Sequence, residues 1–206
     1  SDDQKEELSP GTEETLIAAE AKLDAAMARE AQAASEAYAK AVNDLANDVI
    51  TASGIKSSAY TAATAKTFET AYNAAVALLK DGSATASQLE EARLDLSKAV
   101  SGLKAKSENT MTVKAKTATV KYSAIKKKAK TIARKKVLTV SNANGKVTYT
   151  KKSGNAKIKI NKSTGKVTVG KNLKKGTYKV RVKVTASGNG TYKSSSKTVT
   201  FRVRVK

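Results

Sequence analysis

The chain has 206 residues, with 39 Lys and Arg against 18 Asp and Glu for a formal net charge of +21, and it contains neither cysteine nor histidine. Without those two side chains there is no disulfide framework, no cysteine metal site and no histidine base or ligand, which excludes most enzyme chemistry and points to no cofactor. There is no apolar run of about eighteen residues and no hydrophobic signal core, so the segment is not expected to enter a membrane; the absence of an initiating Met suggests a piece of a longer protein with neighbouring domains.

The charge is sharply divided. Residues 1–105 hold 17 acids and 10 bases, a net of −7, whereas residues 106–206 hold one acid, Glu108, and 29 bases, a net of +28. Opposite charge together with a change of hydrophobic period predicts a flexible leader over 1–11, a helical domain over 12–105 and a basic β domain over 106–206. The fold class expected is a three-helix bundle followed by an antiparallel immunoglobulin-like β-sandwich.

From Thr12 to Ile50 good helix formers run without Gly or Pro, which predicts one long helix ended by the Thr-Ala-Ser-Gly stretch at 51–54. Leu16, Leu23, Met27, Ala34, Tyr38, Val42, Leu45 and Val49 form a stripe expected to face partner helices. A second helix carries Phe68, Ala71, Ala75 and Leu78 and stops at Asp81-Gly82. Before the third, Thr85 to Gln88 and Ser87 to Glu90 both fit a capping box; Leu89, Ala92, Leu96, Ala99 and Leu103 then repeat at steps of three and four. Such stripes bury one another in a bundle. Tyr38, Tyr60, Phe68 and Tyr72 are expected to fill or rim it. The acid pairs Glu13-Glu14 and Glu90-Glu91 are expected in first helical turns, where the helix dipole favours negative charge.

The run Ala59-Tyr60-Thr61, Thr64 and Phe68, then Ala84-Thr85-Ala86-Ser87-Gln88-Leu89 leading into Ala92, Leu96, Ala99 and Leu103, resembles the FIVAR module. FIVAR modules are three-helix units of secreted and wall-anchored proteins of Gram-positive bacteria, often attached to glycoside hydrolases and adhesins. The resemblance covers about residues 12–105. It implies an extracellular, wall-associated or secreted parent protein and carries no general ligand-binding residues.

After Ser107 the period becomes alternating, with turn residues at Asn144-Gly145, Gly154-Asn155, Thr164-Gly165, Lys175-Gly176 and Gly188-Asn189-Gly190. Strands are expected over 111–116, 118–122, 132–140, 147–151, 156–160, 166–169, 177–186 and 197–205. The last two should pair as the spine. Tyr178, Val180, Val182, Val184, Val199, Phe201, Val203 and Val205 would then face inward, with Lys179, Arg181, Lys183, Arg202 and Arg204 facing water.

The succession Ile158-Lys-Ile160, Ser163-Thr-Gly165-Lys-Val167 and Gly176-Thr-Tyr178, ending in Thr185-Ala-Ser-Gly188, resembles cadherin-like and bacterial Ig-like repeats of cell-surface proteins. Calcium-binding cadherins carry acids at the corresponding stretches, where this chain has Asn161 and Ser187, and it has no Asp at all after residue 105. Calcium needs several oxygen ligands, carboxylates among them, so no calcium or other metal site is expected. Lys–Asn cross-linking of the kind found in Gram-positive stalk domains needs a buried acid, and Glu108 at the domain edge has no defined partner spacing.

Outward lysines discourage edge-to-edge pairing and keep a sandwich soluble. Mixed signs would do this equally well with less self-repulsion, so the missing acids imply an external anion. The densest cluster is Lys126, Lys127, Lys128, Lys130, Arg134, Lys135 and Lys136, the candidate contact for an anionic envelope polymer or glycan. Specific nucleic-acid recognition is disfavoured, because 25 of the 29 bases are Lys and no recognition motif or aromatic-basic ladder is present. A carbohydrate-binding accessory module of a secreted glycoside hydrolase is the alternative. It would rely on Tyr149 and Tyr192, the aromatic residues not assigned to the core. The function expected is thus a non-catalytic extracellular stalk or adhesion segment.

Overall fold

The computed structural model describes residues 10–206, and most of the expected leader lies outside them; Pro10 and Gly11 already open the first helix. Three helices, α1 (Pro10–Ser53), α2 (Ala62–Leu79) and α3 (Ala86–Ser101), precede nine strands. The chain divides into two compact units: residues up to Ile55 with Thr67–Gly102, and Lys56–Lys66 with Leu103–Lys206.

In the helical unit α1 packs chiefly on α3. Ala41, Leu45 and Ala52 of α1, Phe68 and Ala75 of α2, and Leu89, Leu96 and Ala99 of α3 are buried. The start of α3 is fixed by one of its two candidate caps. Thr85 Oγ1 accepts from the Gln88 backbone N–H at 3.2 Å and the Gln88 side chain returns to the Thr85 N–H at 2.8 Å, a complete capping box. Helix numbering then places Glu90 and Glu91 beyond the first turn, which holds no acid, so the dipole does not account for them. Glu90 instead pairs with Arg93 at 2.6 Å.

The stripe on α1 is only half covered, contrary to expectation. At about 1.5 Å per residue α1 spans roughly 66 Å and α3 roughly 24 Å, so two short helices cannot pave a helix of 44 residues. Every position from Gly11 to Lys40 is exposed, including Leu16, Leu23, Met27 and Tyr38, and burial begins at Ala41. Phe68 and Tyr72 do meet in this unit, with ring centroids 5.9 Å apart.

The second unit holds β1 (Thr112–Ala115), β2 (Thr117–Val120), β3 (Lys130–Ile132), β4 (Leu138–Ser141), β5 (Val147–Ser153), β6 (Ile158–Ile160), β7 (Val167–Val169), β8 (Gly176–Ala186) and β9 (Ser195–Val205). Their sheets have the orders β2-β9-β8-β5, β3-β7-β6 and β1-β4. Inward side chains of all three share one core around Met111, Ile125, Leu138, Tyr149, Ile158, Val167, Val182 and Phe201. This is an immunoglobulin-like sandwich. Its pairing is antiparallel except for β2, which runs parallel to β9.

The strand expected over 132–140 is two strands in different sheets, separated by a 3-10 turn at Arg134–Lys136. Val137 and Leu138 are both fully buried, and adjacent residues of one strand point to opposite faces. A turn is needed to bring both inward. Another tight junction lies where Gly145 (φ +85°) meets Gly188 (φ +72°), backbone so close that a Cβ on Gly145 would strike the Gly188 carbonyl. Asn109, the buried polar side chain beside it, donates to the Asn144 carbonyl at 2.9 Å and accepts from its N–H at 3.2 Å.

Residues 56–66 belong to this unit through backbone bonds. The Thr61 N–H donates to the Lys104 carbonyl at 2.7 Å and the Lys106 N–H to Ala59 at 2.9 Å. At the head of α2 the otherwise free N–H of Ala62 reaches the Gly190 carbonyl at 2.8 Å. Tyr60 lies at this junction, bridged to Ala105, and not in the helical unit.

The uneven cover of α1 sets an expected mutational contrast. Leu45→Ala should destabilise the helical unit by about 2–5 kcal/mol, and Leu23→Ala on the same stripe by about 0.5 kcal/mol or less, as read by denaturant unfolding followed through the helical circular dichroism. Equal losses would mean that the outer half of the stripe is covered in solution.

Candidate functional site

The seven cations of the dense cluster occupy one stretch of the β unit but not one environment. Ile125, fully buried, anchors its start and accepts from the Asn172 N–H at 2.9 Å; Val137, also fully buried, anchors its end. Between these anchors Lys126, Lys127 and Lys128 lie on the connection into β3, Lys130 opens β3, and Lys135 and Lys136 sit on the 3-10 turn; all six are exposed. Arg134 departs from the set. It is half-buried, and its Nη1 donates to the Tyr149 hydroxyl at 2.9 Å, so it is committed to the core.

Tyr149 itself is 3% exposed, on the inward face of β5 opposite Val184. Its ring packs so closely under Gly165 that a Cβ there would lie 2.9 Å from two ring carbons. It offers no face for a sugar to stack on, which corrects the expectation for this residue. Alternation along β5 decides this: Val147 and Tyr149 share the parity that meets the core. Tyr192 is half-buried in the loop before β9, where its N–H donates to Asn189 Oδ1 at 2.9 Å and the residue bridges to Ser107. The two tyrosines do not form a shared platform.

The register of the four-stranded sheet brings together cations that are far apart in the chain. On its outward face Lys179 lies directly opposite Arg202, Thr177 opposite Arg204, Arg181 opposite Thr200 and Lys183 opposite Thr198. Lys179, Arg181, Arg202 and Arg204 are exposed, and Lys183 is half-exposed. The flanking strands contribute hydroxyls: Thr117 and Thr119 of β2 face Arg202 and Arg204, and Thr150 of β5 faces Lys183. No aromatic side chain stands on this face, because Tyr149, Tyr178 and Phe201 take the inward parity. None of the five cations has an acid within ion-pair distance among the described residues. Alternation along each strand was visible in the sequence. The pairing of Lys179 with Arg202 was not, since it depends on where the hairpin turns.

Glu108, the sole acid after residue 105, is already engaged: Lys193 Nζ lies 2.6 Å from its Oε1. In the helical unit Asp44, Glu90 and Asp81 find local partners. The Lys40 ammonium beside Asp44 and the Arg93 guanidinium beside Glu90 hold those carboxyls below their ordinary range, and the side-chain and backbone donors of Ser83 do the same for Asp81. An open groove of about 510 Å³ between α1 and α3 is lined by Ala37, Ala41, Leu94 and these self-paired charges. Among the described residues no three acids cluster to hold a metal, and no helix is long and apolar enough to cross a membrane.

No family model matches this chain, and no curated protein does either. Solved structures overlap it in part. Drosophila N-cadherin EC1-4 is 20% identical with a TM-score of 0.36, covering 50% of this chain and 26% of its own. The protocadherin GammaB4 extracellular domain is 16% identical with a TM-score of 0.36, covering 47% and 17%. The CBM51-2 and INT domains of ZmpB from Clostridium perfringens are 11% identical with a TM-score of 0.31, covering 80% and 51%. The chain thus spans from about a sixth to about half of these proteins, and overlaps this partial establish no kinship.

Two outcomes follow from the site's local chemistry. Arg134→Ala should cost about 1 kcal/mol in chemical denaturation by leaving the Tyr149 hydroxyl without its donor, whereas Lys135→Ala should cost about 0.5 kcal/mol or less; equal effects would show that the Arg134–Tyr149 bond contributes nothing. Asp44, Asp81 and Glu90 have folded pKa values below their unfolded ones, so the stability they contribute is present above the unfolded values and lost as pH falls through the folded ones. The midpoint of helical unfolding should therefore drop between about pH 5 and pH 3. A flat midpoint across that range would contradict the depressed values.

Proposed function

We propose that this chain is a non-catalytic extracellular segment of a bacterial surface or secreted protein, in which a FIVAR-like helical module precedes a basic cadherin-like sandwich. It acts as stalk and spacer and holds the parent protein beside an anionic cell-envelope polymer or acidic glycan. One observation carries this reading: 29 cations after residue 105 stand against a single acid, and that acid is taken by Lys193. Self-repulsion of this size weakens a compact domain, and an external polyanion relieves it.

The mechanism is physical. The sandwich resists unfolding through one continuous core, and its cations attract a fixed polyanion over a screening length of about 8 Å at physiological salt. The burial of Tyr149 removes one of the two rings on which a neutral-sugar platform would have rested, which supports the polyanion reading over the carbohydrate-module alternative. Of the four arginines after residue 105, the side chains suited to reading a nucleotide edge or phosphate bidentately, none sits in an α-helix.

The test is co-sedimentation of the folded chain with purified anionic envelope polymers and with acidic glycans. Binding should be evident in dilute buffer and fall by about tenfold or more between 50 and 200 mM salt. Absence of binding to every such polymer in dilute buffer would leave the lysines as solubility devices only.

A further inference from the structure

Resting on the polyanion reading above, we infer that the contact is the outward face of the β8–β9 hairpin, not the lysine-rich 126–136 stretch, and that its ligand is a linear polyol-phosphate chain lying along the strands. The face is a narrow ridge of charge. From Arg204, in register with Thr177, through Arg202 and Lys179 to Arg181 and Lys183, five cations occupy seven register positions, six steps or roughly 20 Å at about 3.4 Å per residue. Successive outward positions on one strand are about 6.8 Å apart. An extended chain with one phosphodiester per short polyol unit carries charge at a comparable repeat.

Three features select the ligand. The ridge is centred on one strand pair and flanked by Thr117 and Thr119 on β2 and Thr150 on β5, whose hydroxyls can donate to phosphate oxygens or polyol groups, while Ser153 and the exposed Lys152 stand at the β5 bulge beside Arg181. Three of the four arginines after residue 105, Arg181, Arg202 and Arg204, stand here, and the guanidinium fork suits a phosphate oxygen pair. The face has no aromatic ring, so it has neither a stacking platform for bases nor one for pyranose rings. The direct opposition of Lys179 and Arg202 is itself unfavourable in a sheet, and a phosphate between them reverses that. The 126–136 lysines, by contrast, follow a connection and a turn, without a repeat spacing.

The experiment compares the full chain with two triple variants that each remove three charges, K179Q/R181Q/R202Q on the ridge and K126Q/K127Q/K128Q on the connection, binding synthetic glycerol-phosphate oligomers of graded length. Affinity of the unaltered chain should rise with length until the oligomer spans roughly 20 Å. The ridge variant should lose about tenfold or more and the connection variant about threefold or less. Lys179→Glu should raise the melting temperature, by pairing with Arg202, while lowering affinity, which separates a lost contact from a lost fold. Equal losses in the two triple variants would overturn the ridge and leave the general polyanion reading standing. Tighter binding of a charge-matched oligonucleotide or of an acidic polysaccharide would overturn the ligand class. Failure of the unaltered chain to bind any of these polymers would remove both readings together.

Discussion

The eleven-residue pairing of β8 with β9, from Gly176 opposite Val205 to Ala186 opposite Ser195, is the constraint on which the β unit is built. It lays Val180, Val182, Val184, Phe201, Val203 and Val205 on one face, all of them buried. The strands on either side, β2 and β5, take their register from this hairpin, and the opposing sheets close over its apolar side. Each such side chain contributes about 1.5–3 kcal/mol when fully buried, whereas an opposed pair of like charges on the other face costs about 0.2–1 kcal/mol. Burial therefore decides the register. A slip by one residue would place Lys179, Arg181 and Lys183 in the core, a far larger penalty.

That hierarchy explains how a sheet can carry an unneutralised row of cations and still fold. The apolar face sets the structure, and the outward face is free to be chosen for something else. The same economy appears at Arg134, whose position in a charged run conceals its bond to the Tyr149 hydroxyl under Gly165. Charge in this unit thus serves two ends: a few cations are held by backbone carbonyls or a hydroxyl, such as Lys151 on Asn155 and Ile158 at 2.6 and 2.8 Å, while the ridge cations remain uncommitted.

The helical unit follows a different logic. Asp44, Asp48 and Glu90 are paired locally with Lys40 and Arg93, and its core is small, drawn from alanines, a few leucines and Phe68. The limit is length: α2 and α3 together cannot cover α1, so a stripe that continues unbroken along the sequence is buried at Leu45 and bare at Leu16, Leu23 and Met27. Alanine-rich composition lets the outer part persist as helix through intrinsic propensity without packing.

Local rules were legible in the sequence. Three helices and an alternating basic half, the Thr85 cap, the inward set on the last two strands and the turn at Asn144-Gly145 all follow from propensity, periodicity and the φ > 0 demand met by glycine. Where two local patterns compete, only tertiary packing chose. It split 132–140 into β3 and β4 because Val137 and Leu138 both had to turn inward, and it sent β2 parallel along β9. It buried Tyr149 and left half the α1 stripe bare. It also set Lys179 against Arg202, residues twenty-three positions apart that no periodicity joins. Periodicity reports which face a side chain takes; which residue stands across from it is fixed by hairpin register, and the candidate ridge exists only at that level.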